Sequence, residues 1–256
     1  MTFNRYQEAI KDITHRMGHG MAEFCAGKTV ETLDDYRLYT HYVAGLVGIG
    51  LTKLFVSSKL ESPSLMECED LANTMGLFLQ KTNILKDYLT DLDEGRLFWP
   101  AEIWKLYVEP GKGIGMLAEP AHLPRALACL NHLIVDALEL VPDTLEYLSR
   151  LQNRTVFQFA AIPQLMAIAS LAHFYNNPLL FQKKGNKIRR GLAVQLIFQS
   201  GDLESVKRVY FNYALDLNAK SRAALGRNDR DVTFMRMSAA CSNVIPRSIQ
   251  VMCKLT

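Results

Sequence analysis

Apolar residues recur along this chain at helical spacing, and no strand-rich block, internal repeat or Gly/Ser linker interrupts the pattern. Residues 3–24 read as an amphipathic helix ending near Gly27. A second helix is expected over 33–57, capped by Thr32 or Asp34. A loop at Pro63 precedes a third over 66–92. Pro100 suits the first turn of a short helix reaching Tyr107, and residues 109–120 (EPGKGIGMLAEP) are a loop by Gly and Pro content. Helices follow over 123–140 and 143–175, the latter expected to kink or break at Pro163. Asn176-Asn177-Pro178 is a stop signal. An apolar stretch, 191–198, leads to a final amphipathic helix over 203–225, and the polar residues after Gly226 show little periodicity. The expectation is an all-α helical domain over 1–225 with a tail over 226–256.

The stretch over residues 80–100, QKTNILKDYLTDLDEGRLFWP, organises the rest. On its helix Gln80, Asn83, Asp87 and Asp91 fall at i, i+3, i+7 and i+11, which aligns two amides and two carboxylates on one stripe. Carboxylates one turn apart repel each other, and a cation offsets that repulsion. Hard oxygen ligands with open positions suit Mg²⁺, which often joins one or two carboxylates to substrate phosphates. The plainer reading is a solvated acidic helix end that also includes Asp93 and Glu94.

Composition narrows the class. Hydrophobic residues make up 49% of the 256 and charged residues 21%, a globular balance. The net charge of +3 is too small to argue for nucleic acid. Five cysteines (Cys25, Cys68, Cys129, Cys241, Cys253), an odd number without a C-x-x-C pair, favour reduced intracellular thiols. Met1 to Gly20 is polar and charged, so a secretory leader is not expected. No unbroken apolar run reaches 18 residues, so no transmembrane segment is expected.

Several weaker motifs read as structure. His15 and His19 sit one turn apart but lack the glutamate of an H-E-x-x-H site, and read as surface or packing residues. Gly27-Lys28-Thr29 mimics the end of a phosphate-binding loop, yet Ala22 stands where the required glycine would be. Gly45, Gly48 and Gly50 have the wrong order for a dinucleotide fingerprint. Small residues in an apolar helix instead permit close approach by another helix or a bulky ligand. Tyr39, Val43 and Val47 share one face of that helix, with Tyr42 off to its side. KKGNKIRR, at 183–190, has five basic residues and by itself reads as a solvated loop.

Five longer blocks carry a family resemblance. YTHYVAGLVGIGLTKLF (39–55), NTMGLFLQKTNILKDYLTD (73–91), GRLFWPAEIW (95–104), YLSRLQNRTVFQFAAIPQLMAIASLA (147–172) and KIRRGLAV (187–194) resemble eukaryotic squalene synthases, in order and spacing. The resemblance implies an isoprenoid-synthase helical bundle around a deep cavity. It also implies head-to-head joining of two farnesyl diphosphates to presqualene diphosphate, then NADPH-dependent reduction to squalene. Asp87 and Asp91 would hold Mg²⁺ (or Mn²⁺) and diphosphate, flanked by Gln80 and Asn83. Tyr39, with Tyr42 beside it, matches the tyrosine assigned to proton transfer. Phe157 and Phe159 match an aromatic pair near the developing cation. Lys187 and Arg189 match a basic pair near the cofactor's phosphates. An endoplasmic reticulum location, at the cytosolic face with peripheral membrane association, is implied as well.

The residues agree with most of this. An apolar tunnel for a farnesyl tail can be lined by Val43, Val47, Leu51 and Leu79. Phe157 and Phe159 are two apart and cannot share a helix face. Phe159, one turn before Pro163, is the one expected at the cavity, with Phe157 in the core. Other features depart from the pattern. A first D-x-x-E-D motif is expected upstream of anything matching Tyr6, and the chain reads as N-terminally truncated, which would leave an exposed apolar patch over 43–51. Asp143-Thr144-Leu145-Glu146-Tyr147 imitates that motif but belongs to a later block and ends in tyrosine. Thr90 stands where the second motif usually has an acid, and the usual C-terminal anchor is missing. Two alternatives follow: a catalytically impaired binding remnant, or a phytoene-type synthase that needs no NADPH.

Overall fold

The computed structural model describes residues 2–224 and 234–244, and among them there are helices and no strand. The order is α1 (Thr2–Cys25), α2 (Leu33–Thr40), a π-helical turn (His41–Gly45), α3 (Leu46–Ser57), α4 (Glu69–Lys86), α5 (Tyr88–Asp93) and α6 (Ala101–Trp104). Then come α7 (Leu123–Leu138), α8 (Val141–Arg150), α9 (Arg154–Phe174), α10 (Arg190–Phe198), α11 (Leu203–Ala224) and α12 (Phe234–Val244). Thr32 caps α2 in a reciprocal box with Asp35.

The helix carrying the acidic stripe is the axis of the bundle. α4 packs against α3, α7, α8, α9 and the π-helical turn. Ala72, Met75, Phe78, Ile84 and Leu85 are buried on it, so apolar partners surround most of its circumference. α3 approaches it closely because glycines face each other there. A Cβ on Gly48 would lie 2.1 Å from the Ala72 carbonyl oxygen, and one on Gly76 2.2 Å from that of Ala44. Gly48 and Gly76 serve helix contact, one of the two uses that small residues in an apolar helix permit.

Three expectations are corrected, at 33–57, at Pro163 and at 234–244. The segment 33–57 is not one regular helix, because the π turn at 41–45 inserts an extra residue into its period. Pro163 neither ends nor breaks α9; the break falls earlier, at 151–153. There Asn153 caps α9, and the Glu61 carboxylate accepts from the backbone N–H groups of Gln152 and Asn153. α9 is long and apolar enough by length and composition to cross a membrane, although no 18-residue unbroken run exists; 61% of its apolar window is buried inside the bundle. Finally, residues 234–244, expected within an aperiodic tail, form a helix that buries Met237, Ala240 and Cys241 against α7 and α11. The four described cysteines are free.

Candidate active site

Two cavities meet along α4. At Asp87 the backbone leaves helical geometry (φ −94°, ψ 7°), yet the ladder continues, with Asp87 N–H donating to Asn83 and Asp91 N–H to Asp87, both at 2.9 Å. The stripe therefore survives the change of helix. Gln80, Asn83, Asp87 and Asp91 all line one polar cavity of about 670 Å³, together with Phe24, Lys28, Tyr39, Arg96 and Phe98. The neighbouring cavity, about 550 Å³, is apolar; Val47, Leu51, Leu79, Phe159 and Pro163 line it, and it shares Gln80 and Asn83 with the first.

The acids differ in environment. The Asp91 side chain is 13% exposed, and burial pushes its carboxyl above the usual carboxylate range while Arg96 pulls it back. Arg96 Nη2 and Nε lie 2.8 and 3.2 Å from Asp91 Oδ1, and the same guanidinium contacts Glu94. Asp87 is more open and lies 3.4 Å from Lys86 Nζ. No group of three or more His, Cys, Asp or Glu among the described residues is arranged to hold a metal. Two adjoining carboxylates, one of them desolvated, can supply part of a divalent cation's shell but not a self-sufficient cage.

The aromatic residues separate. Tyr39 is buried at the edge of the polar cavity, and its phenol is pushed up to about 12, by burial first and the nearby Asp91 charge second. Tyr42 turns away and packs over Gly20, lining neither cavity. Val43 also lines neither; it packs against the core, because the π turn rotates it off the face that carries Val47. Phe157 is buried in the core, while Phe159 is 57% exposed in the apolar wall, edge-on to Phe55 at 6.2 Å. Val47, 41% exposed, lies in the same open wall, within the stretch where an apolar patch is expected.

Lys187 and Arg189 are exposed on the loop before α10, line neither cavity, and have no ion pair among the described residues. Lys184 of that loop pairs with Asp93 at the end of α5, which fastens the basic segment to the acidic helix. Asp143 and Glu146 line neither cavity, and Glu146 is engaged by Arg150. His15 and His19 are exposed, with rings 4.4 Å apart.

Sequence reasoning missed part of the polar wall. Gly27, Lys28 and Thr29 form it, although their motif is not a phosphate loop. Val30 and Glu31 carbonyls accept from Ala101 and Glu102 at 3.0 and 2.7 Å, and these bonds place the loop. Partners some 70 residues apart leave no local signal. Arg96 was legible in principle, since it directly follows the glycine that ends α5.

An all-α bundle with a carboxylate-lined cavity beside an apolar one defines a helical isoprenoid-synthase fold. The chain belongs to the squalene/phytoene synthase family, whose model matches residues 2–192. It is 51% identical over 209 residues to the squalene synthase of Mus musculus, covering 82% of this chain and 49% of the relative. It is 42% identical over 245 residues to that of Schizosaccharomyces pombe, covering 93% of this chain and 51% of the relative. The TcSQS chain in its complex with the ligand BPH1237 superposes with a TM-score of 0.87 at 40% identity, over 97% of this chain and 70% of that one. The chain thus spans about half the length of the curated relatives it matches.

Proposed function

We propose that this chain carries the squalene synthase activity of its relatives: head-to-head condensation of two farnesyl diphosphates to presqualene diphosphate, then NADPH-dependent reduction to squalene. The observation that carries the reading is a pair of cavities that share Gln80 and Asn83 as wall residues, one holding Asp87 and Asp91 and the other apolar. A diphosphate head and a farnesyl tail require those two environments side by side. Asp87 and Asp91 hold the head through Mg²⁺ or Mn²⁺, which when bound would neutralise the leaving charge. Val47, Leu51, Leu79 and Pro163 supply an apolar wall for the tail. Phe159 offers its ring face to that cation. Tyr39, protonated across the physiological range, holds the proton beside the departing diphosphate. Lys187 and Arg189, without carboxylate partners among the described residues, suit the phosphates of NADPH, which would supply hydride. The endoplasmic reticulum location and peripheral membrane contact belong to the same proposal and rest on the resemblance alone.

Among the described residues, Asp87 and Asp91 are the carboxylates that line these two cavities. Loss of a single preorganised electrostatic group commonly costs about 10²–10³-fold in rate, so replacing either carboxylate should slow the condensation by about that factor. The test is conversion of radiolabelled farnesyl diphosphate by the 256-residue chain with Mg²⁺, with and without NADPH. Presqualene diphosphate formation, with squalene only when NADPH is present, supports the reading. Dehydrosqualene or a phytoene-like product independent of NADPH would move the chain to the phytoene branch. Mg²⁺-dependent binding without product would make it a binding remnant.

A further inference from the structure

Both acids of the stripe already carry a cation from the chain itself, Asp87 from Lys86 and Asp91 from Arg96. Only Arg96 of these two cations lines the polar cavity. Its position follows from the way α5 ends. Gly95 adopts φ +69°, its N–H donates to Leu92, and the Arg96 N–H donates to the Asp91 carbonyl at 2.8 Å. That is a Schellman closure, which needs glycine at the left-handed position. The backbone of Arg96 is thereby held against the residue whose carboxylate its guanidinium grips. The side chain is 48% exposed, and its second carboxylate contact, Glu94, is itself half-exposed, so a turn of the guanidinium within the cavity displaces no buried side chain.

We propose that Arg96 is an exchangeable counter-ion: it neutralises Asp91 while the cavity is free, and transfers to the diphosphate oxygens when a divalent cation takes Asp91. The inference rests on the reading that this cavity receives a metal–diphosphate complex. Charge is conserved through the exchange. The Asp91 carboxylate gives up one positive partner and gains another, and the released guanidinium meets a dianionic or trianionic group. A guanidinium fork matches two phosphate oxygens as well as it matches a carboxylate. Arg96 therefore competes with the metal for Asp91 yet cooperates with it in holding diphosphate. These two roles have opposite signs, which makes the proposal separable from a structural role.

The experiment uses the 256-residue chain, with Mn²⁺ alone followed by electron paramagnetic resonance, and inorganic pyrophosphate with and without Mg²⁺ followed by titration calorimetry. Arg96→Gln should bind Mn²⁺ about threefold or more tighter than the parent, the scale of an exposed ion pair. It should bind pyrophosphate in Mg²⁺ about tenfold weaker, the scale of a lost charge-assisted bond. Circular dichroism reports the fold. Should Arg96→Gln lose helix, Arg96→Lys carries the test, with the same signs and smaller changes. Both affinities falling together, both rising together, or neither changing would overturn the proposal. If the parent chain binds pyrophosphate equally with and without Mg²⁺, the site reading itself fails, and the exchange with it.

Discussion

Tyr39 on α2 stacks on Phe98, which follows the acidic helix, with ring centroids 4.5 Å apart and planes 17° from parallel. Phe24 of α1 meets the same tyrosine edge-on at 5.0 Å. The stack joins two walls of the polar cavity and excludes water from one side of the phenol. That desolvation is the main reason the phenol is pushed up to about 12. Tyr39→Phe preserves the stacked ring and removes only the hydroxyl. The melting temperature should change by no more than about 2 °C, while single-turnover formation of presqualene diphosphate should fall by about 10²-fold. An unchanged rate would remove Tyr39 from the proton-transfer role.

Asp87→Asn tests the metal assignment from the side not gripped by Arg96. Asp87 is part-exposed and its partner Lys86 is on the surface, so the fold should be nearly indifferent, within about 0.5 kcal/mol. Pyrophosphate binding measured by calorimetry in Mg²⁺ should weaken about tenfold, and binding without Mg²⁺ should stay as it was. Equal losses in both conditions would point to a role other than metal binding.

The close contact of α3 and α4 predicts a sharp contrast between two glycines. Gly48→Ala would set a methyl 2.1 Å from the Ala72 carbonyl oxygen, so the helices must part. Such overpacking costs about 1–3 kcal/mol, a fall of several degrees in melting temperature. At Gly113 an added Cβ meets nothing within 4 Å, and Gly113→Ala should be close to neutral. Thermal unfolding of the two variants side by side checks this.

Lys81 and Asp136 form a buried pair, Nζ to Oδ2 at 2.5 Å, with the Lys81 ammonium 5.2 Å from the Tyr36 ring centroid. Burial pushes the Lys81 amine below its usual range, against the pull of Asp136. Lys81→Met leaves a carboxylate buried without its cation and should cost about 3–5 kcal/mol. The double variant Lys81→Met/Asp136→Leu should recover most of that loss. Denaturant melts showing additive losses in the double variant would contradict this account.

Acid should loosen the start of α2. The Asp35 carboxylate accepts from the Thr32 backbone N–H and hydroxyl at 3.0 and 2.9 Å, and these bonds hold its pKa below the usual 3.8. A depressed folded-state value means that the stabilisation is present above 3.8 and is lost as the pH falls through the folded value. Asp35→Asn should therefore flatten the acid limb of the melting profile and lower stability at neutral pH. A parallel acid limb in parent and variant would count against the box.

Local periodicity determined what depends on neighbours one or two turns away. The stripe Gln80–Asn83–Asp87–Asp91, the glycines of the α3 contact, and the division of Phe157 from Phe159 all follow from helical geometry, which a sequence displays directly. Tertiary structure alone decided features held by distant partners. Glu61 holds the break at 151–153 from about 90 positions away, while Pro163, the obvious breaker, lies inside α9. The start of α6 pulls the loop at 27–31 into the cavity wall. The π turn at 41–45, packed against α4, moves Tyr42 and Val43 off the face that a regular helix would give them. In each case a long-range contact outweighs a local preference, because hydrogen bonds and close packing between segments are worth more than the few tenths of a kcal/mol that separate local conformations.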